Sequence, residues 1–425
     1  MTMRIMWLCN MIPGPVQQDL TGKPGSGLWV DHVLSDLLQD PGYSLRVLCR
    51  GPEEAQGSLG QLSYRVFREP VMHRYPKELE EVFRQELSAF QPQVIHIWGT
   101  EYGHTLAMVK SCRDLGLLEH TVISIQGLCG IYARHYAEGL PEGLLYRFSP
   151  RDLLRLDNIS FQRRHYIRRG SMEAQALALS RHVIGRTPWD RACARMLAPK
   201  AFYHFCNETL RQDFYSGSWT YERCVPHSIF LSSAAIPIKG FHYLLEALPL
   251  ILEQYPDTTV LVPGPDLFRT TGKARLLEQT YHRYLRKYAE RQNLTEKVRF
   301  LGHLSPGEMK ENYLRANVFA LPSTIENSPN SLGEAMLLGV PCVAANVGGV
   351  AAMLRDGEEG LLYQSAAPYM LAHKIMDVFG MEHQAEALGA AARAHALKTH
   401  SAEENLSALL AIYNECSKED DHVGP

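Results

Sequence analysis

The stretch Ser323-Thr-Ile-Glu-Asn-Ser-Pro-Asn-Ser-Leu-Gly-Glu334 constrains this chain more than any other. Before it, Val318 to Leu321 is an apolar run with the length and composition of a buried strand. After it, Ala335-Met-Leu-Leu338 reads as helix and is stopped by Gly339 and Pro341. Ser328-Pro329 marks the break, with serine as cap and proline at the first helical position, where its missing N–H costs nothing. Glu326 is therefore expected on a loop at the carboxyl end of a strand. Asn330 and Ser331 open a helix, and Glu334 lies about one turn inside it.

A junction of this kind suits a diphosphate, which the helix dipole and the unpaired N–H groups of Ser331 and Leu332 attract. Glu334 is placed to accept both hydroxyls of a ribose, and Glu326 to reach hydroxyls on the far side of the phosphates. Two glutamates with seven residues between them carry little weight alone. Two solvated acids flanking a helix start would give the same spacing.

At 425 residues the chain exceeds one ordinary core, so two domains are expected. Its 45% apolar and 21% charged content is that of a globular protein, and a net charge of -3 gives no reason to expect nucleic acid. Nine cysteines without a C-x-x-C pair read as reduced thiols, and hence as a cytoplasmic protein. Met1 to Cys9 is too short for a signal peptide and reads as a strand. Ala335 to Leu354 is a run of twenty residues without a formal charge, long enough to span a bilayer. Pro341, Asn346 and Gly348-Gly349 break it into helix end, strand and turn, so no membrane span is expected.

Strand-like runs at Arg4–Cys9, Leu45–Leu48, Tyr64–Phe67, Val94–Ile97 and Val122–Ile125 alternate with helical stretches such as Lys77–Phe90 and Tyr102–Leu115. That alternation predicts a parallel sheet with helices on both faces and binding loops at the carboxyl ends of its strands. His96, Glu101 and Gln126 fall near such ends; His96, flanked by apolar residues, also fits a hydrogen-bonded core histidine. The loop through Gly22-Lys-Pro-Gly-Ser-Gly27 sits at the first strand-to-helix junction, where glycine lets backbone approach a phosphate, although a plain surface loop reads equally well. Arg186, at the end of the run His182–Gly185 and before the capped helix start Thr187-Pro188, is either a phosphate fork or half of a structural ion pair.

Arg147 to Arg169 holds seven arginines against Asp152 and Asp157, with interleaved leucines. Such a segment either docks on anionic lipid or packs as an arginine-rich helix against acids elsewhere. Around Ser216 to His227 the pattern dissolves, which predicts a linker between a first domain over 1–215 and a second over 228–400. Helix 401–417 is then expected to cross back to the first domain, ahead of a frayed tail over 418–425. In the second half, strand and helix alternate regularly from Val260, with a capping box at Ser305-Pro-Gly-Glu308.

Five motifs in order then extend the central stretch: Lys239-Gly-Phe241 with Leu244-Leu-Glu-Ala247, Val298-Arg-Phe-Leu-Gly302, Glu326-x7-Glu334, Asn346-Val-Gly-Gly-Val350, and Asp356-Gly-Glu-Glu-Gly-Leu-Leu362. Together they resemble the retaining glycosyltransferases of family 4, which have the GT-B fold: two doubly wound, Rossmann-like α/β domains facing a cleft. The resemblance implies a nucleotide diphosphate sugar as donor, UDP-sugar favoured, and no metal or other cofactor. It makes Lys239 the phosphate-binding lysine, Glu326 the group that positions the donor sugar, and Glu334 the ribose ligand. Asn330, Ser331 and Leu332 would hold the diphosphate, Gly302, His303 and Leu304 the base, and Gly27 would face the same cleft. Two positions depart from the family. Gln126 stands where many relatives have a histidine, and glutamine hydrogen-bonds a hydroxyl but transfers no proton. Ala234 stands where relatives commonly carry an arginine, so one phosphate-binding charge is missing.

The expected function is transfer of a sugar, with retention, to an acceptor hydroxyl on a glycan, a lipid-linked molecule or a small molecule. His96, Glu101 and Gln126 are the acceptor-side candidates, and peripheral contact with the inner face of a membrane is the partner the arginine-rich segment suggests. A nucleotide-sugar epimerase on the same fold, or a non-catalytic nucleotide-binding partner of another transferase, are the competing readings.

Overall fold

The structure, a computed structural model, describes residues 2–23, 25, 29–69, 71–269 and 277–418. The chain divides into two compact units. The first takes in the residues up to Ile131, Tyr166–Thr209 and the chain from His400 onward; the second takes in Tyr132–His165 and Leu210–Thr399.

The first unit is built on an eight-stranded sheet. Its strands are β1 (Met3–Cys9), β2 (Tyr43–Arg50), β3 (Ala55–Leu59), β4 (Leu62–Phe67), β5 (Val94–Trp98), β6 (Thr121–Ser124), β7 (His182–Gly185) and β8 (Phe202–Phe205). They run in the order β3-β4-β2-β1-β5-β6-β7-β8, every neighbouring pair parallel except β3–β4. β1 and β5 are apolar almost throughout because both faces are covered by helices, as a parallel sheet requires. The antiparallel edge strand β3 was not legible beforehand: Ala-Gln-Gly-Ser-Leu is largely solvent-facing and shows no apolar run. The helix Ala402–Cys416 belongs to this unit. It is pinned by Tyr413, whose hydroxyl accepts from Trp7 Nε1 at 2.9 Å and meets His96 Nδ1 at 2.6 Å.

The second unit carries six strands: β9 (Val225–Phe230), β10 (Thr259–Val262), β11 (Val298–Phe300), β12 (Ala316–Leu321), β13 (Cys342–Ala345) and β14 (Leu361–Tyr363). Their order is β11-β10-β9-β12-β13-β14, all parallel. The chain leaves β9 toward β10 and β11 on one side and returns to β12 on the other. β9 and β12 therefore flank a topological switch point, where the loops after two adjacent strands diverge and leave a crevice. In the first unit β1 and β5 stand in the same relation.

The domain boundaries expected from sequence differ from this division. Residues 132–165 pack with the second unit although they precede more than forty residues of the first. The stretch 216–227, expected as a linker, is part of the second unit's core: Trp219 is buried, and its indole N–H donates to the Ala316 carbonyl at 2.6 Å. Trp219, among one glycine, two serines and a proline, anchors the segment without any periodic pattern. The uncharged run 335–354 is divided among the end of helix Asn330–Leu337, strand β13 and the turn of helix Val350–Met353. No described helix is long and apolar enough to cross a membrane.

Candidate active site

The crevice of the second unit is formed by the connections after β9 and β12. After β9 the chain reaches a short turn, Pro237–Lys239, then Gly240 in the left-handed conformation at φ 67°, then helix Phe241–Gln254. After β12 the buried segment 322–328 carries Ser323, Thr324 and Glu326. Gly240 lets these two connections close on each other, and Gly348, in the loop after β13, lets that loop close on the segment after β12. A Cβ on Gly240 would lie 1.8 Å from the Pro322 carbonyl oxygen, and one on Gly348 would lie 1.9 Å from the Glu326 carbonyl oxygen. The Thr324 N–H donates to the Ile238 carbonyl at 2.8 Å, stitching the two loops.

Lys239 and Glu326 meet at this point. Lys239 Nζ lies 2.6 Å from Glu326 Oε1, and Ser323 Oγ donates to the same oxygen at 2.8 Å. No described residue bonds Glu326 Oε2, so a nearly buried carboxylate keeps one oxygen for a ligand. The ammonium is more exposed than its partner and sits where a second anion can share it.

Helix Asn330–Leu337 starts one residue later than expected. Pro329 is the cap, with ψ 117°, and Ser328 makes no capping bond. The Pro329 carbonyl accepts from Leu332 N–H at 3.0 Å and Gly333 N–H at 3.3 Å. Leu332 is therefore no free donor; Asn330 and Ser331, at the first two helical positions, are the ones without an intrahelical acceptor. Inside the helix, Glu334 is buried and held in a fork: Arg211 Nε to Oε1 at 2.7 Å and Nη2 to Oε2 at 2.8 Å. Burial raises the Glu334 pKa, and the guanidinium opposes that rise. Arg211 lies over the Phe214 ring at 4.7 Å, which fixes the fork's plane.

Other expected contributors fall differently. Gly302 donates to and accepts from Gly264 through its own backbone, at 3.1 and 2.7 Å, which takes up the groups assigned to a base; His303 and Leu304 beside it are not so engaged. Ala234 is buried, a place for a methyl group rather than the missing arginine. Gly27 lies outside the described residues.

In the first unit, Glu101 stands at the β1–β5 switch point and accepts from Asn10 Nδ2 at 3.2 Å. Asn10 Oδ1 in turn faces His104 Nε2 at 2.9 Å. Gly99, at φ 114°, makes room for this pair: a Cβ there would lie 2.3 Å from Asn10 Nδ2. Gln126 and Arg186 meet through buried Glu208, which takes the Arg186 guanidinium on one oxygen and the Gln126 amide on the other. Of the two readings of Arg186, the ion pair is the one present. His96 is fully buried between Tyr413 and Ser124, with its pKa pushed well down by burial, and is a neutral core histidine. Ser323, Arg211, Asn10 and Glu208 were missed from sequence. None sits in a recognisable spacing; Arg211, Asn10 and Glu208 acquire roles only through partners distant along the chain, and Ser323 through Glu326 three positions on.

Comparisons with known proteins bear on the same segments. Residues 226–395 match the family described as Glycosyl transferases group 1. A D-inositol 3-phosphate glycosyltransferase of Corynebacterium urealyticum is 30% identical over 178 residues, 41% of this chain and 40% of that protein. The chain's match thus spans about two fifths of the curated relative's length. Sucrose-phosphate synthase from Thermosynechococcus elongatus has a similar fold, with TM-score 0.69 and 17% identity over 97% of this chain and 98% of that one. HepE of Anabaena, in complex with UDP-glucose, has TM-score 0.66 and 17% identity over 97% of this chain and 100% of that one.

Proposed function

Through residues 226–395 the chain belongs to the group 1 glycosyl transferases, with the GT-B fold, and from that premise we propose that it transfers a sugar from a UDP-sugar to an acceptor hydroxyl with retention. The observation that carries the reading is the Lys239–Glu326–Ser323 cluster at the β9–β12 switch point, one loop ahead of the helix that begins at Asn330. A donor diphosphate meets the Lys239 ammonium and the N–H groups of Asn330 and Ser331, which take up the negative charge that grows as the glycosidic bond breaks. Its sugar then lies beside Glu326, whose open oxygen receives a hydroxyl and whose charge opposes the positive charge developing at the anomeric carbon. Glu334, held by Arg211, accepts from the ribose. The UDP donor is supported by the UDP-glucose bound to HepE of Anabaena. The acceptor is a glycan, a lipid-linked molecule or a small molecule.

The test separates the two glutamates. Glu334→Gln is expected to weaken UDP affinity with modest change at saturation, because ribose hardly changes during reaction. Glu326→Gln is expected to keep UDP affinity and lose most turnover. Calorimetry with UDP, beside kinetics at saturating donor, gives both numbers, and the opposite pattern inverts the roles. Product formed from donor without any acceptor would replace transfer with epimerisation. UDP binding without hydrolysis or transfer across a donor panel would leave a binding protein.

A further inference from the structure

Residues 142–164 of the second unit hold an arginine-rich surface that the proposed reaction does not use. Tyr146 and Leu154 are 76% and 81% exposed, and Leu153 and Leu156 also stand out of the surface. These side chains project from a fixed scaffold. Ser149 caps helix Pro150–Arg155 in a reciprocal box with Asp152, Leu156 ends it in the left-handed conformation, and Asn158 Nδ2 donates to the carbonyls of Leu145 and Arg147 at 3.2 and 3.1 Å. Asp152 also accepts from the Thr280 N–H at 3.1 Å, tying this helix to the start of helix Thr280–Arg291.

The second helix adds charge of the same sign. Four acids of the region are already matched, Asp152 and Asp157 by Arg151 and Glu278 and Glu290 by Arg286, while Glu142 stands exposed with no ion pair among the described residues. Arg147, Arg155 and Lys287 pair with no acid among the described residues. Arg147, Arg283, Lys287 and Arg291 line a cavity of about 680 Å³ between the two elements, with Phe148, Tyr284 and one acid, the Arg286-paired Glu290, also on its wall. Isolated leucines and a tyrosine beside unpaired cations do not form the continuous apolar face that a protein partner covers. They are what a bilayer surface accepts: apolar tips enter the acyl boundary while guanidinium groups stay with anionic headgroups.

We propose that this face of the second unit docks on an anionic membrane, with Tyr146, Leu153, Leu154 and Leu156 inserting and the basic cavity taking a lipid headgroup. The docking needs no sugar donor, so it stands or falls apart from the transfer reaction.

The experiment sediments the full chain with vesicles of phosphatidylcholine, or of phosphatidylcholine and phosphatidylglycerol in equal parts. Recovery is expected with the anionic vesicles at low salt, to be lost at high salt and absent with the neutral ones. Arg147→Gln with Arg155→Gln should weaken anionic binding by roughly twentyfold, from the usual gain per surface cation. Leu153→Ser with Leu154→Ser should weaken it by at least roughly tenfold. All four positions are solvent-facing, so circular dichroism should show both variants folded. Equal recovery on neutral and anionic vesicles, or unchanged binding by both variants, overturns the proposal. So does a dimer in solution that the leucine variant abolishes while the wild type ignores vesicles, which would assign the patch to a second copy of the chain.

Discussion

Replacing Arg211 by methionine should expose how Glu334 is held. Methionine keeps much of the side chain's length and removes the fork, leaving a carboxylate that is 4% exposed without its cation. Breaking a buried pair from one side costs about 3–5 kcal/mol. Arg211 is itself a quarter exposed, so water offsets part of the loss, and roughly 2–3 kcal/mol is the expected deficit at pH 8. For a unit of this size that is a drop of roughly 5–10 °C in the unfolding midpoint. The sign with pH follows from Glu334. Its folded pKa is already raised by burial, and without the guanidinium it rises further. In acid the group is protonated in both folded and unfolded chains, and the deficit vanishes. As pH climbs, the deficit opens where wild-type Glu334 ionises beside Arg211 and grows until the variant's Glu334, raised further, ionises too. Thermal unfolding of wild type and variant at pH 4.5 and pH 8 measures this, and Glu334→Gln in the same background should recover most of the loss. A deficit equal at both pH values, or none at pH 8, would refute the idea that Arg211 compensates a buried charge.

Three further outcomes are expected. Lys239→Ala should lower turnover roughly a hundredfold, the scale of a single preorganised electrostatic group; wild-type kinetics would mean that another cation meets the diphosphate. Glu173 is buried under Thr100 Oγ1 and the N–H groups of Cys129 and Gly130, and burial pushes its pKa up to about 7. The folded chain therefore keeps a proton that the unfolded chain releases, so stability should fall from the carboxylate range up to pH 7 and then level off, by at most about 3.5 kcal/mol. Glu173→Gln should flatten that slope in denaturant titrations at pH 5 and pH 8. Gly240→Ala drives a Cβ into the Pro322 carbonyl and should cost roughly 2–4 kcal/mol while displacing Lys239; a variant as stable and active as wild type would show that the two loops move apart freely.

The parts of this fold that were legible in the sequence are those with local causes. Strand β7 over His182–Gly185, helix Ala402–Cys416, and the capping boxes of Thr187 and Ser305 stand where composition and cap residues place them. The Lys239–Glu326 pair was legible only as two separate motifs 87 positions apart; strand order brings them together. The cap at Pro329 differed by one residue because local propensity does not fix which carbonyl accepts the first helical bond. Arg211 was illegible because its neighbours, Leu210 and Gln212, show no period, and its importance lies entirely in reaching Glu334. The assignment of 132–165 to the second unit follows from the contacts of Asp152 with Thr280 and of Thr324 with the His135 carbonyl, neither of which leaves a mark in local composition.

The polypeptide passes between the two units four times, at Ile131–Tyr132, His165–Tyr166, Thr209–Leu210 and Thr399–His400. During synthesis this imposes an order of events. The sheet of the first unit can form once β8 has emerged, but Trp7 Nε1 and His96 Nδ1 must wait for Tyr413, some four hundred residues after Trp7, while His96 Nε2 already has Ser124. Until then the nascent first unit carries an uncovered groove along β1 and β5, and the intervening second unit can reach its own core first. The chain on the ribosome can thus hold all the residues of the second unit while the first still lacks its last helix. A fragment cut at residue 399 would be caught permanently in that state.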